Sequence, residues 1–364
     1  MKKTKVALIF GGKSAEHEVS VWSAKNVFEA IDKTKFEAVL IGISKQGSWF
    51  KFESTEFPDF KSLTDKNIPA RSQPVALLCQ NNQPLFYELE TGIKTSVDIA
   101  FPVMHGTYGE DGCIQGLFRM YNLPFVGCGV FASAAGMDKE FMKKLFLQNN
   151  IPTPKFMVIN NKNSFTFQQL SEKLGAPFFI KPANMGSSVG VHKIKNDNDF
   201  KTLLADAFKY DHKVLAEEFV DAREIECSVL GLCQEAKASL PGEVLPTHEF
   251  YSYEAKYLDE KGAGIQIPAK LSDQQTKEFQ SLAVKTFQTI GCDGLTRVDF
   301  FMRKSDQKIF VNEVNTIPGF TKISMYPKMW EATGVNYGQL ITQLLEIGLK
   351  KAQLDNSLVT DFNL

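Results

Sequence analysis

A run of five apolar residues, Val6 to Phe10, stops at Gly11-Gly12, and Val21, Ala24, Val27, Phe28 and Ile31 follow at helical spacing. The first pattern is that of a strand buried on both faces, and the second lays one apolar stripe along a helix. Val39 to Ile43 reads as a second strand. Strand, glycine turn, helix, strand is a βαβ unit, which commits the N-terminal part to a parallel α/β layer. At 364 residues the chain exceeds one small core, so two or three domains are expected.

Downstream, Val75–Cys79 and Pro84–Tyr87 read as strands around an Asn81-Asn82 turn, and Ile99–Met104 as another running into His105-Gly106. One helix is expected behind Gly129, through Met137 to Asn149, closed by Asn150 and Pro152-Thr153-Pro154. Strands are expected over 156–159, 178–181, 189–194 and 214–218, with helices near 167–174 and 199–208. From about 224 strands dominate, interrupted by a polar, tyrosine-rich stretch at 248–268. A helix near 273–290, a hairpin over 295–315 and a helix near 336–351 close the pattern. Residues 44–98 are the least legible part, and there is no internal repeat.

Composition narrows the function classes. Forty-one basic against 42 acidic side chains give a net charge of -1, which speaks against a nucleic-acid backbone binder. Six cysteines at 79, 113, 128, 227, 233 and 292 form no C-x-x-C pair, so zinc knuckles and thioredoxin-like motifs are excluded and reduced, mostly buried thiols expected. The apolar run behind Lys2-Lys3 is too short for a signal peptide, and no stretch is long enough to cross a bilayer. A cytoplasmic protein without membrane or nucleic-acid partners is the expectation.

The strongest chemical signal is the hairpin at 295–315. Alternation places Arg297, Asp299 and Phe301 on one face of its first strand, and Val311, Glu313 and Asn315 on one face of the return. A turn centred on Asp306 sets Asp299 opposite Glu313 and Arg297 opposite Asn315. Like charges across a ladder destabilise it, so a cation belongs between them: Arg297 alone, or Mg²⁺ held by hard oxygen donors together with phosphates. The second signal is Lys181, ending a strand before the Gly186-Ser187-Ser188-Val189-Gly190 loop, with Glu217-Glu218 beyond. Glycines turn backbone N–H groups toward an anion, serines add hydroxyl donors, and a hinged loop can cover phosphates. Gly11-Gly12-Lys13-Ser14 is no Walker loop, since Ala7 stands where the first glycine is required, and it lacks the dinucleotide fingerprint. It remains a turn into a helix N-terminus, with Glu16 complementing the dipole.

In their order along the chain these pieces resemble the D-alanine–D-alanine ligases of the ATP-grasp superfamily. The matching stretches are GGKSAEHEVS at 11–20, VMHGTYGEDG at 103–112, VGCGVFASAAGMDKEFMK at 126–143, IKPANMGSSVGVHK at 180–193 and VLAEEFVDARE at 214–224. YSYEAKYL at 251–258, TRVDFF at 296–301 and NEVNTIPGFTKISMYP at 312–327 complete them. Ile317 departs from the serine or methionine frequent at that point, and 44–98 matches least.

The resemblance implies α/β and α+β architecture: an ATP-grasp fold behind an N-terminal parallel α/β (pre-ATP-grasp) domain. It divides the chain into 1–127 with the first D-alanine site, 128–217 with the phosphate loop, and 218–364 with a lid loop and metal site. Lys139 and Lys181 would contact ATP phosphates, with Gly186, Ser187 and Ser188 lying over them. Glu217 and the backbone around Glu218 and Val220 would read the adenine, and Glu224 the ribose. Asp299, Glu313 and Asn315 would hold Mg²⁺ or Mn²⁺, as two ions. Glu16 would orient the first D-alanine's ammonium with His105 beside its carboxylate, and Ser324 and Met325 would receive the second carboxylate. Arg297 and the backbone of Gly319 would stabilise the oxyanion. Ser187, Tyr257 and Glu16 would form a hydrogen-bonded triad, with Lys256 and Tyr257 on a mobile lid at 248–268.

The implied reaction makes D-alanyl-D-alanine for peptidoglycan synthesis through an acylphosphate, releasing ADP and phosphate, in a homodimer. Rival readings are a sister ligase using D-lactate or D-serine, which the tyrosine-bearing lid disfavours, and a non-catalytic nucleotide-binding regulator, which the intact set of polar site residues disfavours.

Overall fold

The computed structural model describes residues 2–55, 57, 63–69, 71–246 and 263–359. The chain opens as the apolar runs dictate: β1 (Thr4–Gly11), α1 (His17–Ala30) and β2 (Phe36–Ile43), with β1 and β2 parallel. The expected parallel layer is confined to β2, β1 and β7 (Ile99–Pro102). Between them β3 (Trp49–Phe52), β4 (Ser72–Gln80), β5 (Gln83–Glu88) and β6 (Lys94–Ser96) extend the same sheet antiparallel, in the order β6-β5-β4-β3-β2-β1-β7. Short reversals produce this mixed sheet, because only antiparallel neighbours can be joined by tight turns. Asn81 and Asn82 both take positive φ, 52° and 62°, as a two-residue hairpin turn requires.

After α2 (Cys113–Met120) the expected single helix is two, α3 (Val130–Met137) and α4 (Lys139–Gln148). The break lies at Asp138, which leaves the helical conformation and accepts hydrogen bonds from the Glu140 and Phe141 N–H groups. The capping carboxylate wins over helix continuity. A four-stranded antiparallel sheet follows, built from β8 (Phe156–Ile159), β9 (Phe178–Pro182), β10 (His192–Ile194) and β11 (Val214–Glu218) in the order β10-β9-β11-β8. It is backed by α5 (Phe167–Leu174) and α6 (Asp197–Ala207) around Phe178, Phe200 and Leu204. The strand expected from 189 begins only at His192, because Ser187, Ser188 and Gly190 take left-handed backbone conformations.

The last sheet is antiparallel and comprises β12 (Ala222–Gly231), β13 (Lys237–Ala238), β14 (Gly242–Pro246), β15 (Ala263–Gln266), β16 (Gly294–Arg303) and β17 (Ile309–Asn315). Helix α7 (Asp273–Ile290) starts at the Ser272/Gln275 capping box and buries Phe279 and Phe287 against β16. Helices α8 (Met325–Ala332) and α9 (Tyr337–Asn356) end the described chain. Leu340, Ile341 and Leu344 of α9 share one core with Leu8, Phe10 and Phe101 of the first sheet. Gly294, at φ +75°, allows a further close approach: a Cβ there would stand 2.8 Å from the Gly127 backbone. The cysteines are all free, but only 128, 227 and 292 are buried, fewer than expected.

Candidate active site

The hairpin alternates as its sequence requires. Thr296, Val298 and Phe300 face the core while Arg297, Asp299 and Phe301 face a cavity of about 1090 Å³. Asp299 pairs with Glu313 and Arg297 with Asn315, as the turn at Asp306 predicts. Beyond Asp299 the register shifts, so that Phe300 pairs with Val311. The extra residue is Asn312, and this bulge turns Val311 into the core rather than onto the face of Glu313. Asn312 and Glu313 thereby both line the cavity.

Arg297 neutralises the carboxylate row. Its Nε and Nη2 each donate to Asp299 at 2.7 Å, and Nε lies 3.0 Å from Glu226. Asn315 donates to Asp299 at 3.0 Å. Glu226 sits on β12 directly opposite Asp299, so Glu226, Asp299 and Glu313 form a row across three strands. Sequence reasoning missed Glu226, although its alternation with Glu224 in one strand was a signal.

Cations enter from the other side. Lys139, the first residue of α4, donates to the Met185 carbonyl at 2.6 Å, and burial pulls its pKa down. Lys181 on β9 reaches Glu217 at 2.6 Å and lies 3.5 Å from Asn312. Both Glu217 oxygens are engaged, because Lys143, fully buried beneath, stands 2.7 Å from the second. Glu218, Val220 and Glu224 line the same cavity on the β11–β12 side.

The loop after β9 closes over this region. Ser187 and Ser188 have φ of 52° and 59°, conformations that cost about 1–2 kcal/mol for a residue with a Cβ and need external support. Ser187 Oγ supplies it by donating to Glu16 at 2.5 Å, joining residues 171 apart in sequence. Gly186 lies beside the same carboxylate. Gly106, at φ +75°, admits Glu16 as well, since a Cβ there would stand 2.7 Å from its Oε2.

His105 is buried between Ser23 and the Ile317 carbonyl. The carbonyl can only accept, so Nδ1 carries the proton and Nε2 accepts from the Ser23 hydroxyl. Burial holds its pKa below the ordinary histidine range, and the ring is neutral. Glu110 accepts from the Gly106 and Ile317 N–H groups at 2.8 and 3.0 Å, tying two loops together. Burial and the Glu16 charge push its pKa up to about 8, outweighing those donors. Glu110 was another unassigned residue, hidden inside a matching motif. Gly319, Ser324 and Met325 line the cavity where α8 begins, with no side chain capping that N-terminus. Lys256 and Tyr257 lie outside the described residues.

Every other residue to which the resemblance gives a role thus lines one cavity. Its oxygen donors, Asp299, Glu313 and the Asn315 amide, are hard ligands suited to a divalent cation, and nitrogen or sulfur ligands are absent from this set. Among the described residues no helix is long and apolar enough to cross a membrane.

Comparison with known proteins draws on both halves. Residues 5–128 match the family model "D-ala D-ala ligase N-terminus" and residues 145–346 match "D-ala D-ala ligase C-terminus". The chain is 47% identical over 364 residues to the D-alanine–D-alanine ligase of Oceanobacillus iheyensis, covering 98% of each protein. It is 42% identical over 375 residues to D-alanine–D-alanine ligase A of Escherichia coli, covering 99% of this chain and 100% of the other. Its fold is similar to that of the D-alanine-D-alanine ligase from Coxiella burnetii, with a TM-score of 0.86 at 33% identity, over 98% and 97% of the two chains. The VanG D-Ala:D-Ser ligase from Enterococcus faecalis superposes with a TM-score of 0.82 at 36% identity, over 95% of this chain and 100% of that one.

Proposed function

Because the chain belongs to the D-alanine–D-alanine ligase family, whose ATP-dependent reaction supplies peptidoglycan synthesis, we propose that the cavity of about 1090 Å³ is where both D-alanines and ATP meet. The observation that carries this assignment is the Ser187–Glu16 hydrogen bond, which unites the N-terminal substrate turn with the loop beside Lys181.

A carboxylate is a poor electrophile and must be activated by phosphorylation. Lys139 and Lys181 place ammonium groups where the phosphates of ATP would lie, and the 186–190 loop covers them. Glu217 with the backbone at Glu218 and Val220 takes the adenine, and Glu224 the ribose. Asp299, Glu313 and Asn315 would hold Mg²⁺ or Mn²⁺, one ion or two, which when bound supplies charge neutralisation at the phosphate oxygens. Glu16 receives the first D-alanine's ammonium. Neutral His105, both of whose ring nitrogens are engaged by Ser23 and the Ile317 carbonyl, lies beside its carboxylate as a shape neighbour rather than an ion-pair partner. Arg297 and the Gly319 N–H face the oxyanion that forms when the second amine attacks. The uncapped start of α8, at Ser324 and Met325, accepts the second carboxylate. The resemblance assigns Lys256 and Tyr257, which lie outside the described residues, to a lid that would exclude water from the acylphosphate.

The three regions 1–127, 128–217 and 218–364 supply substrate turn, phosphate loop and metal strands in that order. Use of ATP fits a cytoplasmic location, and a homodimer is carried over from the resemblance. The deciding assay is phosphate release from Mg-ATP with D-alanine, beside L-alanine and D-alanine paired with D-lactate or D-serine. Release with D-alanine alone, yielding D-alanyl-D-alanine, is expected. Release only in the presence of D-serine would move the enzyme to the sister class represented by VanG, and release only with D-lactate to a depsipeptide-forming class.

A further inference from the structure

Lys143 touches no part of the cavity, yet it is a fully buried ammonium one helical turn beyond Lys139. It donates to Thr153 Oγ1 at 2.8 Å and stands 2.7 Å from Glu217 Oε2. Glu217 Oε1 in turn takes Lys181 at 2.6 Å. Taking a charge out of water is costly, and replacing a buried ion pair by apolar groups is often neutral or stabilising. Fold stability alone therefore gives this lysine a weak reason to be charged.

Electrostatics at Lys181 give a stronger one. A lysine and a glutamate in contact form a closed neutral pair, whose field at a nearby phosphate largely cancels. With Lys143 on the far oxygen, the three side chains carry a net single positive charge. The surplus is exposed where Lys181 lines the cavity, because Lys143 is sealed from it. We propose that Lys143 is a positioning residue that neutralises Glu217 from behind, so that the charge of Lys181 remains available to the nucleotide phosphates. This rests on the reading of Lys181 as a phosphate ligand. Burial pulls the Lys143 pKa down to about 8, with Glu217 opposing the fall, so at neutral pH it stays protonated and keeps this role.

The test is Lys143→Met in the full-length enzyme, with ATP and adenosine affinities measured by calorimetry and both KM values recorded. ATP affinity should fall about tenfold, the equivalent of about 1.4 kcal/mol. Adenosine affinity and the KM for D-alanine should stay within about twofold, because the adenine and amino-acid contacts remain. In a Lys181→Met background, Lys143→Met should add nothing to the loss of ATP affinity, since the two act in series. Equal losses for ATP and adenosine, or the same loss in both backgrounds, would overturn the proposal in favour of a structural role. Should Lys143→Met not fold, Lys143→Gln keeps a donor to Glu217 without the charge, and wild-type ATP affinity in that variant would overturn it too. A Lys181→Met enzyme with undiminished ATP affinity would sink the reading of Lys181 and this proposal together. ATP lost on Lys181→Met but retained on Lys143→Met would sink this proposal alone.

Discussion

Glu110 shows how one side chain serves two loops at a cost that depends on pH. Its carboxyl holds the backbone of Gly106 and of Ile317, and its pKa rises from 4.5 to about 8 through burial and the nearby Glu16. An acid whose folded pKa is raised binds its proton more tightly when folded, so the stability it contributes is complete at low pH. That contribution fades as pH climbs from about 4.5 to about 8. Glu110→Gln fixes the uncharged form. The stability of wild type minus that of the variant, from urea titrations at several pH values, should therefore decline across that window. A pH-independent difference would show that the two backbone donors, not burial, govern this group.

At the scale of elements, the approach of β16 to the end of the first region depends on a missing side chain. Gly294 and Gly291 both have left-handed φ, +75° and +73°, but only Gly294 meets a neighbour, the Gly127 backbone at 2.8 Å from an added Cβ. Gly291→Ala should cost only the conformational penalty of about 1–2 kcal/mol. Gly294→Ala should cost clearly more, read as a larger drop in urea midpoint, and equal drops would mean that the contact relaxes freely. Such contrasts also explain what the sequence could disclose. Helix α7 was legible to its ends because its apolar period and the Ser272/Gln275 box agree. Asp299 facing Glu313 was legible because period two and one turn fix a hairpin register. The bulge at Asn312 was not, since one inserted residue leaves the composition of both strands unchanged. Neither was the break at Asp138, where a cap lies inside an unbroken helical pattern. Glu226 and Lys143 read as ordinary surface charges until the fold brings Asp299 and Glu217 to them. Within 44–98 the β4–β5 hairpin was legible from its Asn81-Asn82 turn, whereas β3 and β6 were not, since strands of four and three residues carry little periodicity.

Across the whole molecule, the first and last segments are one structural unit. Leu344 on α9 is buried with Leu8 and Phe10 of β1, although almost the entire chain lies between them. Leu344→Ala should cost about 2–5 kcal/mol. Amide exchange should accelerate in β1 as well as in α9, and acceleration confined to α9 would contradict a shared core. The order of synthesis gives this closure a further meaning. A growing chain exposes the apolar underside of its first sheet once α1 has formed, and the cover is assembled from Leu230, Leu295, Phe320, Tyr326 and Trp330 before α9 completes it. Glu16 and His105 therefore sit on a layer whose packing stays incomplete until α9 is made, so a chain stopped short of it would leave apolar surface exposed.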